Sequence, residues 1–81
     1  RMYPDDAIAN LNAANVAMQR GDQKSAKKYI ERAGNMPEAI YARGVLAVLQ
    51  EDFEAARGFF LTAAALGIKE AETQIEELSG I

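Results

Sequence analysis

The stretch GDQKSAKKYIERA, Gly21–Ala33, is answered thirty residues later by EDFEAARGFFLTA, Glu51–Ala63. Gly21/Glu51, Asp22/Asp52, Ala26/Ala56, Ile30/Phe60 and Ala33/Ala63 fall into register. Ala14/Gly44, both small, carry the match into the segments before. Matched residues at a fixed offset mark one structural unit used twice, and such units bury their apolar faces against each other. A chain built this way is expected to hold a partner rather than transform one.

Working outward, each copy is bounded by helix starts and stops. In YPDDAIAN, Pro4 suits the first turn of a helix, and Asp5 and Asp6 complement its positive end. This helix is expected to run to about Arg20, where Gly21 stops it. Asp22 is the N-cap of a second helix, Gly34-Asn35 ends it, and Pro37 opens a third. A fourth follows Asp52 and closes at Gly67, and a fifth spans about Lys69 to Leu78. No segment alternates apolar and polar residues as a half-buried strand does. The expected fold class is all-α, with five helices.

Helical spacing assigns the faces. Ala7, Leu11, Ala14 and Met18 form an apolar stripe on the first helix, beside a polar, uncharged line of Asn12, Asn15 and Gln19 that begins at Ile8. Ala26, Tyr29, Ile30 and Ala33 form the buried face of the second, with its lysines outward. The third carries Ile40, Tyr41, Val45, Leu46, Val48 and Leu49 around its circumference, which predicts a central helix packed on several sides. Phe53, Ala56, Phe60 and Ala63 are expected to face inward from the fourth. Ile68, Ala71, Ile75 and Leu78 give the fifth one apolar side, opposite Glu70, Glu72, Gln74, Glu76 and Glu77, as suits a helix covering the open end of an array. Ala14, Ala26, Gly44 and Ala56 are small because helices cross closely there.

Composition narrows the function. The 81 residues make one small domain, and much of its 49% hydrophobic content is alanine, which favours closely packed helices over a thick aromatic core. The chain has no Cys, His or Trp, so disulfides, zinc sites built on Cys or His, and thiol or imidazole catalysis are excluded. No apolar run approaches the roughly 18 residues of a membrane span, so no membrane insertion is expected. The helical pattern begins almost at Arg1, which reads as a piece of a longer chain. Six basic and four acidic residues give residues 1–33 a charge of +2, and three basic and eight acidic give residues 34–81 a charge of −5. An acidic chain without a dominant basic stripe repels phosphate, so no nucleic acid is expected. Glu72, Glu76 and Glu77 read as a solvated face. No catalytic, cofactor-binding or metal-ligating residue is assigned, and the chain is not expected to be an enzyme.

Ala56-x3-Phe60 with Pro37, and Ala26-x3-Ile30 as its weaker twin, resemble the tetratricopeptide repeat family and its Sel1-like relatives. FFLTAAALGIKEA, with Ala63, Ala64, Gly67 and Ala71, is similar to the joint between Sel1-like units. The likeness covers about residues 4–78. It departs from the family pattern in lacking Trp and in keeping only Gly44 of the usual Leu-Gly pair. It implies a right-handed superhelix of antiparallel helix pairs: repeat one about 4–36, repeat two about 37–67, and a capping helix about 68–78. YPDDAIANLNAANVAMQRGD also resembles the carboxy-terminal helical region of large exported cell-envelope proteins of Gram-negative bacteria. That likeness implies a periplasmic or outer-membrane-associated setting, against a cytoplasmic one.

The first helix of each pair lines a concave groove in such arrays. Carried over by position, the groove would present Ile8, Leu11, Asn12, Asn15, Met18 and Gln19, with Glu38, Tyr41, Ala42, Val45 and Val48 or Leu49 from the third helix. Asn side chains both donate and accept, so they can grip a peptide backbone, while Tyr41 offers flat apolar area with a polar tip. The competing reading has the Asn residues solvating an exposed helix. Asn15 stands where some members clamp a terminal carboxylate, but Leu11 replaces the expected Lys and Gln19 is neutral, so that clamp is absent. Two functions follow. The first is a protein-interaction module holding a peptide segment or partner helix; the second is a spacer or docking part packed on the rest of its own chain.

Overall fold

A computed structural model describes residues 5–80; Pro4 lies outside them. Five α-helices and no strands occupy this span: α1 (Asp5–Gln19), α2 (Gln23–Ala33), α3 (Pro37–Leu49), α4 (Phe53–Ala65) and α5 (Lys69–Ser79). Three residues separate each helix from the next, so consecutive helices fold back as antiparallel neighbours. α1 packs along α2 and α3 along α4, α3 also touches both helices of the first pair, and α5 lies on α4. The described residues form a slab of 35 × 30 × 15 Å.

The repeat is visible in the joints. After α1, the Asp22 N–H donates to Ala17 O at 2.8 Å and the Gly21 N–H to Met18 O at 3.1 Å. After α3, Asp52 donates to Ala47 O and Glu51 to Val48 O, both at 2.9 Å. After α4, Ile68 donates to Ala63 O and Gly67 to Ala64 O, both at 3.0 Å. These paired bonds form a Schellman turn, which satisfies carbonyls that a helix end leaves free. The turn needs one residue at positive φ: Gly21 (79°), Glu51 (61°) and Gly67 (102°) supply it. In the first two turns the closing Asp also starts the next helix. Asp22 accepts from the Ser25 N–H at 3.2 Å and Asp52 from the Ala55 N–H at 3.3 Å. The Ser25 side chain and backbone N–H hold the Asp22 carboxyl below its ordinary value. In the third turn Ile68 replaces the aspartate, makes no side-chain cap, and packs into the core instead.

Two apolar clusters make up the interior, and α3 contributes to both. Ala39, Ala42 and Leu46 face Ala7, Leu11, Ala14, Ala26 and Ile30. Ile40, Tyr41, Val45, Ala47 and Val48 join Phe60, Ala63, Ala71 and Leu78. This is the central helix that its apolar circumference predicts.

The expected close crossings hold: Ala14, Ala26 and Ala56 are fully buried. At Gly44 the fit is tighter still. A Cβ there would lie 2.5 Å from Cε1 of the fully buried Phe60. One repeat earlier the equivalent pair is Ala14 with Ile30. The larger ring in repeat two therefore requires a smaller residue opposite, and the summed volume is roughly conserved.

Four residues read as part of apolar faces are less buried than those faces suggest. Phe53 is 37% exposed because it opens α4, at the end of the helix before the packed face begins. Leu49 is 45% exposed at the last position of α3. Met18 and Tyr29 are half-buried, packed at the margin of the first cluster.

Gly44→Ala is expected to cost about 1–3 kcal/mol. Adding Phe60→Ile, which copies the Ala14–Ile30 pair, is expected to cost less than the two changes summed, as read from urea denaturation of all four forms. Glu51→Gly removes a side chain from a left-handed position and is expected to raise stability by about 0.5–1 kcal/mol in the same assay.

Candidate functional site

A groove of about 440 Å³ runs between α1 and α3. α1 contributes Ile8, Leu11, Asn12 and Asn15, which helical spacing places on one side of the helix. Met36, Glu38, Tyr41, Ala42 and Val45 line the other wall. The repeat offset relates the two walls: Ile8 answers Glu38, Leu11 answers Tyr41, Asn12 answers Ala42 and Asn15 answers Val45. The same four positions of each unit thus face one another across the crossing.

The depth of each side chain gives the groove its character. Leu11, Met36 and Ala42 are buried and form an apolar floor. Tyr41 and Val45 are half-buried, while Ile8, Asn12, Asn15 and Glu38 stand exposed along the rim. Asn10 donates its amide to Asp6 O at 2.8 Å. Among the described residues Asn12 and Asn15 make no such side-chain bond, and both are exposed where they line the groove.

Tyr41 links the groove to the second core. Its ring meets Phe60 with centroids 5.4 Å apart and planes tilted by 52°. Burial raises the pKa of its hydroxyl, the charge of Glu70 raises it further, Gln74 opposes the shift and Glu77 adds to it. The phenol therefore stays protonated through the physiological range.

Eight of the groove residues read from the sequence, Ile8, Leu11, Asn12, Asn15, Glu38, Tyr41, Ala42 and Val45, line this groove. Gln19 does not: it is exposed at the last position of α1, past the crossing with α3, and its counterpart Leu49 is exposed likewise. Met18 turns towards the core, and Val48 packs in the second cluster. Met36 escapes the periodic pattern because it precedes Pro37 in a turn, outside any helix. Its position before a proline, in extended backbone and between two helices that each bury an apolar face, is the signal that could have flagged it.

A second cavity of about 460 Å³ lies among α2, α3 and α4, lined by Lys27, Ile30, Glu31, Arg43, Leu46, Ala47, Gln50, Asp52, Ala55 and Phe59. Its rim mixes both signs of charge. Arg43 donates to Gly34 O at 3.1 Å, bracing the turn between α2 and α3. Among the described residues no group of three His, Cys, Asp or Glu side chains could hold a metal ion, and no helix is long and apolar enough to cross a membrane. Compared with known proteins, the chain matches no family model, no curated protein and no solved structure.

The raised Tyr41 pKa carries a sign. Unfolding releases the phenol to its ordinary 10.0, so this contribution to stability is complete below pH 10.0 and is lost as pH rises through the higher folded value. Tyr41→Phe is expected to make stability less sensitive to pH above 10 than in the parent, as read from thermal melts between pH 8 and pH 11.

Proposed function

We propose that this chain is a non-catalytic protein-interaction module of the tetratricopeptide kind, holding a segment of a partner protein in the groove between α1 and α3. The observation that carries the reading is the groove itself, with its apolar floor of Leu11, Met36 and Ala42 beneath the unengaged amides of Asn12 and Asn15. An apolar floor supplies affinity, and a few polar groups at the rim supply orientation. The repeated helix pairs fit the same family, since stacked units of that kind use the first helix of each pair as a binding wall. Chemistry by nucleophile and base would fall to Glu38 and a Tyr41 hydroxyl of raised pKa, a poor pairing for proton transfer near neutral pH.

A second reading makes the chain a spacer or docking part within a larger bacterial cell-envelope protein. It draws on Leu61 and Leu66, large apolar residues exposed on α4 and in the turn after it. On this reading those leucines meet the remainder of the parent chain.

Amide NMR separates the two. Titration with extended peptide pools is expected to shift the resonances of Ile8, Asn12, Asn15 and Tyr41 and to leave Leu61 and Leu66 unchanged. Asn15→Ala is expected to weaken binding about two- to tenfold with helicity by circular dichroism unaltered. Equal loss of helicity and binding, or shifts confined to Leu61 and Leu66 on adding the parent's remaining sequence, would replace the first reading with the second.

A further inference from the structure

The groove's occupant can be narrowed by charge and backbone chemistry, on the premise that the groove is a binding surface. We propose that it selects an extended peptide segment in which basic residues alternate with apolar ones.

Backbone chemistry sets the conformation. A bound helix satisfies its own N–H and C=O groups and would leave the free amides of Asn12 and Asn15 idle. An extended segment presents one donor and one acceptor per residue, which a side-chain amide can pair with in either sense. In an extended segment successive side chains point to opposite sides. One set can therefore rest on Leu11, Met36 and Ala42 while the other reaches the rim.

Charge sets the composition. Among the described residues lining the groove the one charged group is Glu38, and no cation is present. The N-terminus of α3 offsets part of the Glu38 charge, because Glu38 stands in that helix's first turn. Glu38 stands exposed at the rim, so its carboxylate sets the sign of the groove. Two basic side chains of the repeats line the second cavity instead: Lys27, and Arg43, which also holds Gly34 O. An acidic peptide would meet Glu38 with no cation lining the groove beside it, whereas a basic one finds a carboxylate at the rim that remains solvated when paired.

The test uses the 81-residue chain and three fluorescein-labelled nine-residue peptides: alternating Lys and Val, alternating Glu and Val, and alternating Lys and Ser. Anisotropy measures affinity, and amide shifts locate the contact. The Lys–Val peptide is expected to bind tightest and to shift Asn12, Asn15 and Tyr41. Its affinity is expected to fall with added salt. Glu38→Gln is expected to weaken it about two- to fivefold. Glu38→Lys, at an exposed position, is expected to move the preference towards the Glu–Val peptide, with circular dichroism confirming the fold. If the Glu–Val peptide binds the parent chain as well as the Lys–Val peptide does, the charge selection is overturned and the binding groove stands. If Lys–Ser binds as well as Lys–Val, or if shifts appear only on the exposed glutamates of α5, the contact is non-specific and the proposal fails. If no peptide perturbs the groove, both this inference and the groove's role fall.

Discussion

The ring of Phe60 lies where a side chain on residue 44 would have to be, and much of the molecule follows from that contact. Glycine at 44 lets α3 and α4 approach closely enough for the ring to be fully buried. The ring in turn supports Tyr41 in a tilted aromatic contact. Tyr41 then forms part of the groove wall. The shape of the candidate site is thus inherited from the core beneath it. Repeat one has Ala14 and Ile30 at the same crossing, and its wall presents Leu11 where repeat two presents Tyr41. One unit used twice thus presents two chemically different walls.

The joints are as repetitive as the crossings. Three turns of one hydrogen-bonding pattern fold α1 onto α2, α3 onto α4 and α4 onto α5, while the turn from α2 to α3 is built differently. There Gly34 adopts φ 83° and ψ −142°, and Arg43 holds its carbonyl. The common turn closes a hairpin, and the exceptional one sets how the second pair stands against the first. Asp22 and Asp52 tighten the hairpins by ending one helix with a backbone N–H and starting the next with a carboxylate. Glu51 shows that the geometry is imposed by this arrangement, since a non-glycine residue is held at positive φ where two other turns use glycine.

Much of this was legible in the chain before folding. Gly21, Gly67, Asp22 and Asp52 act through local backbone chemistry, so they mark the same boundaries in sequence and in structure. Helical periodicity located Leu11, Asn12 and Asn15 on one wall because spacing along a helix is fixed by its geometry. It misplaced Phe53 and Leu49 because periodicity describes a face but not where the neighbouring helix stops. Gln19 fell outside the groove for the same reason: it shares the line of Asn12 and Asn15 but lies beyond the crossing. Ala17 is buried and supplies the carbonyl that closes the first turn, a role that a small residue among many alanines does not announce. Met36 sits in a turn and carries no period at all. The electrostatic setting of Tyr41 depends on α5, about thirty residues on, and pairing across such distances is tertiary information.

The division of α3 between two apolar clusters has a thermodynamic meaning. Each cluster draws its remaining members from different helices, so α3 is the main element through which the two ends of the array sense each other. In the language of nearest-neighbour lattices, α3 carries the coupling and the flanking helices carry the spins. Fraying of α5 weakens the second cluster while leaving most of the first intact. Loss of α3 dissolves both at once, so cooperativity resides in this helix rather than being spread evenly along the chain. A segment seated between α1 and α3 would clasp that shared element from outside, and occupancy of the groove would be felt as tighter coupling at the far end of the molecule.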